Sequence, residues 1–256
     1  MAYSCSYETP EPENTQLVNK LGKKVELKTF KTNATDQRPE MDERLGIVCV
    51  GDFTGGRSTP TYVDHYMGNK SFEYRPIMGA DFRLYKKKVT FPSFSYEQRI
   101  IFLILGEQER HRPIMTNPVL KIGPPVGAVV FFGPTMPSSL NGAVKWKKVV
   151  HENLPSAKDD HFPFVLLINN TRSVEWLGEG KMFKDKQAMD SFCEQNGFLT
   201  WFEMLESSER LGEDNVFGRA VDIIVNMVIE KRLKFHLKEE ELETTRYFLF
   251  PAEYRK

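Results

Sequence analysis

The stretch Ile47-Val48-Cys49-Val50-Gly51-Asp52-Phe53-Thr54-Gly55-Gly56-Arg57-Ser58 decides the fold. Its first four residues are apolar without alternation, the pattern of a strand buried on both faces. Gly51, Gly56, Arg57 and Ser58 then stand at the spacing of a phosphate-binding loop, with arginine in the place of lysine. In such a loop, backbone N–H groups cradle phosphate oxygens and a hydroxyl meets magnesium. Pro60 falls in the first turn of the helix expected next, where its missing N–H is tolerated. Strand, glycine-rich turn and helix in this order predict an α/β protein.

The pattern continues on both sides of the loop. Residues 81–89 and 100–105 read as strands separated by a turn at Pro92-Ser93. Residues 126–132 and 162–168 are uniformly apolar, as parallel strands covered on both faces are. Between them, Leu140, Ala143, Val144, Lys147 and Val150 share one side of a helix opened by Ser138-Ser139. A second amphipathic stretch, residues 184–196, stops at Gly197, and residues 198–205 give a sixth strand. A last helix, starting near Glu213, places Phe217, Ala220, Val221, Ile224 and Val228 on one face. The expected fold is a doubly wound, six-stranded, mostly parallel sheet with helices on both faces. Ligands of such sheets sit beyond the carboxyl ends of the strands, so chemistry is expected after Val50, Leu105, Phe132, Ile168 and Leu205.

Charge and composition narrow the function. The 256 residues carry 35 basic and 35 acidic side chains, net zero, so no bulk field holds nucleic acid or an anionic membrane. Three cysteines, Cys5, Cys49 and Cys193, are too few and too scattered for a disulfide framework or a zinc site, which favours a reducing compartment. The longest apolar runs fall far short of the roughly 20 residues that span a bilayer. The sequence begins with neither a signal segment nor a myristoylation glycine, and a cytoplasmic protein is expected. The five histidines are far apart, and no glycine-flanked serine elbow is present. Residues 1–43 show little apolar periodicity and are expected to be a disordered extension of a domain at 44–236. Residues 237–256 form a charged and aromatic tail whose cluster Tyr247, Phe248, Leu249 and Phe250 is expected to dock on its own domain or on a partner.

Further motifs follow the loop: Tyr74-Arg75-Pro76-Ile77-Met78-Gly79-Ala80-Asp81-Phe82, Gln108-Glu109-Arg110, Val144-Lys145-Trp146-Lys147, Asn169, and Phe192-Cys193-Glu194-Gln195-Asn196-Gly197-Phe198 before Trp201-Phe202-Glu203. In that order, over about residues 45–235, the chain resembles the Rab small GTPases, and within them the branch acting on melanosomes and other lysosome-related organelles. The resemblance implies a nucleotide site at Gly51, Gly55, Gly56, Arg57, Ser58 and Asn169. Ser58 would be the magnesium ligand and Gln108 the residue that orients the attacking water. It also implies an effector surface at Tyr74, Ile77, Phe82, Arg110 and Met115.

The chain departs from the family where nucleotide is touched. The resemblance puts Ile77 at the switch threonine, and isoleucine cannot ligate magnesium. The metal-shell aspartate becomes Ile104, or Leu103 if the motif shifts by one residue. The guanine-reading run is Asn169-Asn170-Thr171-Arg172, where arginine offers five donors and no acceptor to the donors of guanine. Each lost charged hydrogen bond removes about 1.5 to 3 kcal/mol. The expectation is a Rab-like pseudo-GTPase with no assured cofactor, a protein-interaction module of vesicle or lysosome-related organelle traffic. Its expected partners are trafficking effectors, with no nucleic acid, as a monomer or within a hetero-complex. No cysteine follows Cys193, so a prenyl anchor is not expected and membranes would be reached through partners. Two alternatives stand beside it: a divergent active GTPase that binds GTP or GDP with Mg²⁺, and a structural component of a stable assembly.

Overall fold

The computed structural model describes residues 17–18, 24–25, 44–51, 59–69, 77, 79–90, 95–106, 125–133, 139–159, 161–170, 185–205, 212 and 215–233. The chain divides into two units, residues 1–38 and 39–256. In the first, β1 (Leu17–Val18) pairs antiparallel with β2 (Lys24–Val25).

The second unit holds β3 (Leu45–Gly51), α1 (Thr59–Tyr66), β4 (Ala80–Thr90), β5 (Ser95–Leu105), β6 (Pro125–Phe132), α2 (Ser139–Asn153), β7 (Phe164–Asn170), α3 (Lys186–Asn196), β8 (Thr200–Leu205) and α4 (Val216–Leu233). Its sheet has the order β4-β5-β3-β6-β7-β8. β4 and β5 pair antiparallel, and every other neighbouring pair is parallel, so the mostly parallel six-stranded sheet is present as expected. The unbroken apolar runs have the anticipated cause. Val129 and Phe131 of β6 face a core cluster with α1 and α4, whereas Ala128, Val130 and Phe132 face a second cluster with α2 and α3.

Element ends differ from the sequence reading for local reasons. β5 begins at Ser95, earlier than expected, because Glu97, Gln98 and Arg99 interrupt its apolar run while still pairing with β4. β7 begins after Pro163, which lacks an N–H but accepts at its carbonyl from Ala128 N at 2.9 Å. β8 starts at Thr200 because Phe198 still belongs to the helix cap: its N–H reaches the Cys193 carbonyl at 2.8 Å, and Gly197 takes the left-handed conformation at φ 66°. α4 starts at Val216 because Asn215 caps it, accepting from Gly218 N at 2.7 Å. In α2 the buried stripe includes Trp146 and Val149 beside Leu140, Ala143 and Val150. Lys147, expected on that stripe, lies half-buried with its ammonium 5.1 Å from the Phe164 ring, and burial lowers its pKa.

Cys49 in β3 and Cys193 on α3 are buried free thiols. Burial raises both pKa values; Cys193 reaches about 12, helped by the negative charge of Asp190. The sign follows directly: above pH 9 the unfolded thiols lose protons that the folded ones keep. These groups therefore remove stability as pH rises from about 9 toward 12. In a Cys5→Ser variant, Ellman's reagent is expected to titrate neither thiol at pH 8 before guanidinium is added, and both afterwards. Rapid native labelling would contradict their burial.

Candidate functional site

Of the expected nucleotide residues, the described structure contains Gly51 and Asn169, and it places both at the carboxyl ends of strands, on β3 and β7, which flank β6. Gly55, Gly56, Arg57, Ser58 and Gln108 lie outside the described residues, as do Tyr74, Arg110 and Met115 of the expected effector surface. Ile77 and Phe82 are described. Arg172 of the base-reading run is not.

Gly51 ends β3 opposite Phe131 of β6. A Cβ there would lie 2.2 Å from the Phe131 carbonyl oxygen, a backbone atom that cannot swing aside. Close strand packing alone therefore requires glycine at this position, whatever the loop beyond it holds.

Asn169 is 7% exposed, near the end of the apolar strand β7. Its side-chain Oδ1 accepts a hydrogen bond of 2.5 Å from the Tyr62 hydroxyl. Tyr62 comes from the second turn of α1, is 3% exposed, and stacks on Phe131 with ring centroids 5.6 Å apart and planes at 15°. Phe131 stacks in turn on Phe217 of α4 at 5.7 Å. A continuous column thus runs from α4 through β6 and α1 to the side chain expected to read a base. Sequence reasoning missed Tyr62. The available signal was an aromatic residue with a polar tip at an inward position of the helix after the loop, which demands a buried partner.

Ile77 packs its half-buried side chain against the core cluster between the sheet and α1/α4. Ile104 and Leu103 are both buried, the first in that cluster and the second in the one across the sheet. Neither candidate for the metal-shell position presents anything but hydrocarbon.

The far end of the site is braced by charge. Arg83 of β4 bonds Asp64 of α1 through Nε at 3.0 Å and reaches Asp81 through Nη1 at 2.7 Å. Lys87, 8% exposed, pairs with Asp222 of α4 at 2.9 Å and lies 6.0 Å from the centre of the Tyr66 ring. These contacts hold α1, β4 and α4 together below the strand ends. Phe82 and Leu84 of β4 are 37% and 58% exposed. Among the described residues no group of three His, Cys, Asp or Glu side chains is placed to hold a metal ion, and no helix is long and apolar enough to cross a membrane.

No protein-family model matches the chain. Over 173 residues it is 31% identical to the Ras-related protein Rab-32A of Dictyostelium discoideum, a match covering 67% of this chain and 74% of that protein. It is 22% identical over 199 residues to the Ras-related protein Rab-32B of the same organism, covering 77% of this chain and 69% of that one.

Proposed function

The chain belongs to the Rab family of small GTPases, and from that premise we propose that it is a nucleotide-independent member, a protein-interaction module of vesicle or lysosome-related organelle traffic. The observation that carries the proposal is the buried hydrogen bond from Tyr62 to Asn169. The asparagine amide has one carbonyl acceptor and two N–H donors. Here the carbonyl accepts from the protein, and the link ties α1 to β7 by a fixed contact that needs no nucleotide.

Two further observations support the reading. Guanine and its magnesium fit the described residues poorly, since Ile77 and Ile104 bring hydrocarbon to positions where the family resemblance places a metal-binding hydroxyl and a carboxylate. Ile77 is also anchored by packing on the core, so this part of the switch-equivalent surface has a reason to hold one shape without a phosphate to sense. Partners would be trafficking effectors that meet residues 74–82 and 108–117, and the membrane address would come through them.

Chromatography of the supernatant from denatured purified protein is expected to show no stoichiometric guanine nucleotide. GTP with Mg²⁺ is expected to leave the unfolding midpoint within about 1 °C. A ligand at 100 times its Kd would instead add about 2.7 kcal/mol, or roughly 5 to 11 °C for a domain of this size. Stoichiometric GDP, or stabilisation by GTP over ATP, would place the chain among divergent active GTPases.

A further inference from the structure

β4 is the last strand on one side of the sheet, and its inner edge pairs with β5 along its whole length, from Ala80↔Leu105 to Thr90↔Ser95. The phase of that ladder is fixed by Gly106, whose N–H donates to the Gly79 carbonyl at 2.7 Å. Antiparallel neighbours alternate between turning both backbone polar groups toward the partner strand and turning both away. With the Gly79/Gly106 pair bonded, Asp81, Arg83, Tyr85, Lys87 and Val89 turn theirs toward β5. Phe82, Leu84, Lys86, Lys88 and Thr90 turn theirs outward.

The outward set is not uniform. At Phe82 the edge is closed locally: its N–H donates to Asp81 Oδ1 at 2.8 Å, and its carbonyl accepts from Arg83 Nη1 at 3.3 Å. From Leu84 onward, no described residue makes a hydrogen bond to the outward groups of Leu84, Lys86 or Lys88. The same residues carry the exposed side chains of the strand, Leu84 at 58% and the Lys86 side chain at 60%, with Lys88 and Thr90 exposed beyond them. The open edge therefore displays one apolar residue and then two cations at alternate positions, with Lys86 partly balanced by Glu97 at 3.3 Å. Edge lysines deter pairing with another copy of the same strand, because an antiparallel copy sets lysine against lysine. They favour an acidic strand by the same rule.

We propose that residues 84–90 of β4 form a strand-addition site for an extended segment of a partner protein. That segment carries acidic side chains opposite Lys86 and Lys88 and an apolar one opposite Leu84. Main-chain hydrogen bonds would supply affinity, and the alternating side chains would supply selection. The inference deepens the proposed interaction role and rests on that reading only for there being a partner.

The test uses the full-length protein and a labelled, end-capped peptide with glutamate at two alternate positions and leucine at the third, separated by threonine or valine. Fluorescence anisotropy is expected to show saturable binding, with exchange protection appearing at the amides of Leu84, Lys86 and Lys88. Charge reversal in Lys86→Glu/Lys88→Glu is expected to weaken binding at least tenfold and to transfer preference to the matching lysine peptide. Leu84→Pro removes an outward N–H that makes no bond to β5, so it is expected to abolish binding while circular dichroism stays native. Binding insensitive to both variants, or protection at other residues, overturns the proposal. So does edge-dependent dimerisation in sedimentation, which gives the edge to a second copy. Binding that appears only after removal of residues 237–256 would give it to the chain's own tail, and overturns the proposal as well. None of these outcomes bears on the nucleotide measurements, and stoichiometric GDP would leave the edge intact.

Discussion

Replacing Phe217 with alanine is expected to lower the unfolding midpoint by on the order of 10 °C, the largest change anticipated from any single substitution at an uncharged site. Phe217 is 1% exposed, and its ring lies 5.6 Å from Tyr66 and 5.7 Å from both Phe102 and Phe131. Truncating a buried phenylalanine costs about 3 to 5 kcal/mol, because the transfer loss is joined by a cavity that stiff aromatic neighbours cannot close. For a domain of this size each kcal/mol moves the midpoint by roughly 2 to 4 °C. Phe217→Leu should lose far less. Lys148→Ala provides the contrast: its pair with Glu152 spans 3.7 Å between exposed side chains, and such pairs contribute little. Differential scanning calorimetry on the three variants separates these effects. A loss under about 2 °C for Phe217→Ala would mean that the aromatic column does not act as core. Because Phe131 stacks on both Phe217 and Tyr62, the substitution should also loosen the candidate site.

The fold was legible because its central strands speak one language. Val129, Val130, Val165 and Leu166 are apolar at successive positions because helices cover both faces of the sheet, and the short length of the runs with their β-branched content marks them as strands. Caps were legible where the residue type has a single physical use. Gly197 ends α3 with a backbone that side-chain-bearing residues seldom adopt. The first half of β5 was hidden because Gln98, although fully buried, is polar, and hydropathy cannot distinguish a buried amide from a loop residue.

The candidate site was legible only as a list of departures. The sequence shows that Ile77 and Ile104 cannot do a metal's chemistry, since a hydrocarbon side chain excludes it in any fold. The contact between Tyr62 and Asn169 was not visible. Tyr62 and Asn169 are 107 residues apart, and their contact depends on α1 and β7 being brought together by the sheet. Gly51 has a second cause that its letter does not show. A glycine beginning a phosphate loop and a glycine forced by a neighbouring carbonyl have the same letter, and only the 2.2 Å approach to Phe131 reveals the second cause.

Tyr62→Phe removes one oxygen and leaves the ring stack on Phe131 in place, so it isolates the hydrogen bond from the packing. The buried Asn169 carbonyl loses its phenol donor, and one such hydrogen bond contributes about 0.5 to 1.5 kcal/mol. Asn169→Leu removes the acceptor of the Tyr62 hydroxyl, at a similar cost. Each single variant breaks the same bond and the double variant loses it only once, so its loss should fall below the sum of the two, with a coupling of roughly 0.5 to 1.5 kcal/mol. Chemical denaturation of the four proteins measures that coupling. Additive losses would show that the two side chains do not stabilise each other, and the proposed nucleotide-independent site would lose the contact that carries it. The same four proteins carry a second readout. If the tyrosine holds a site that nucleotide does not need, adding GTP with Mg²⁺ should leave the four stabilities and the coupling between them unchanged; if it merely fills in until ligand arrives, GTP should restore stability selectively to Tyr62→Phe, where the phenol no longer occupies the Asn169 carbonyl.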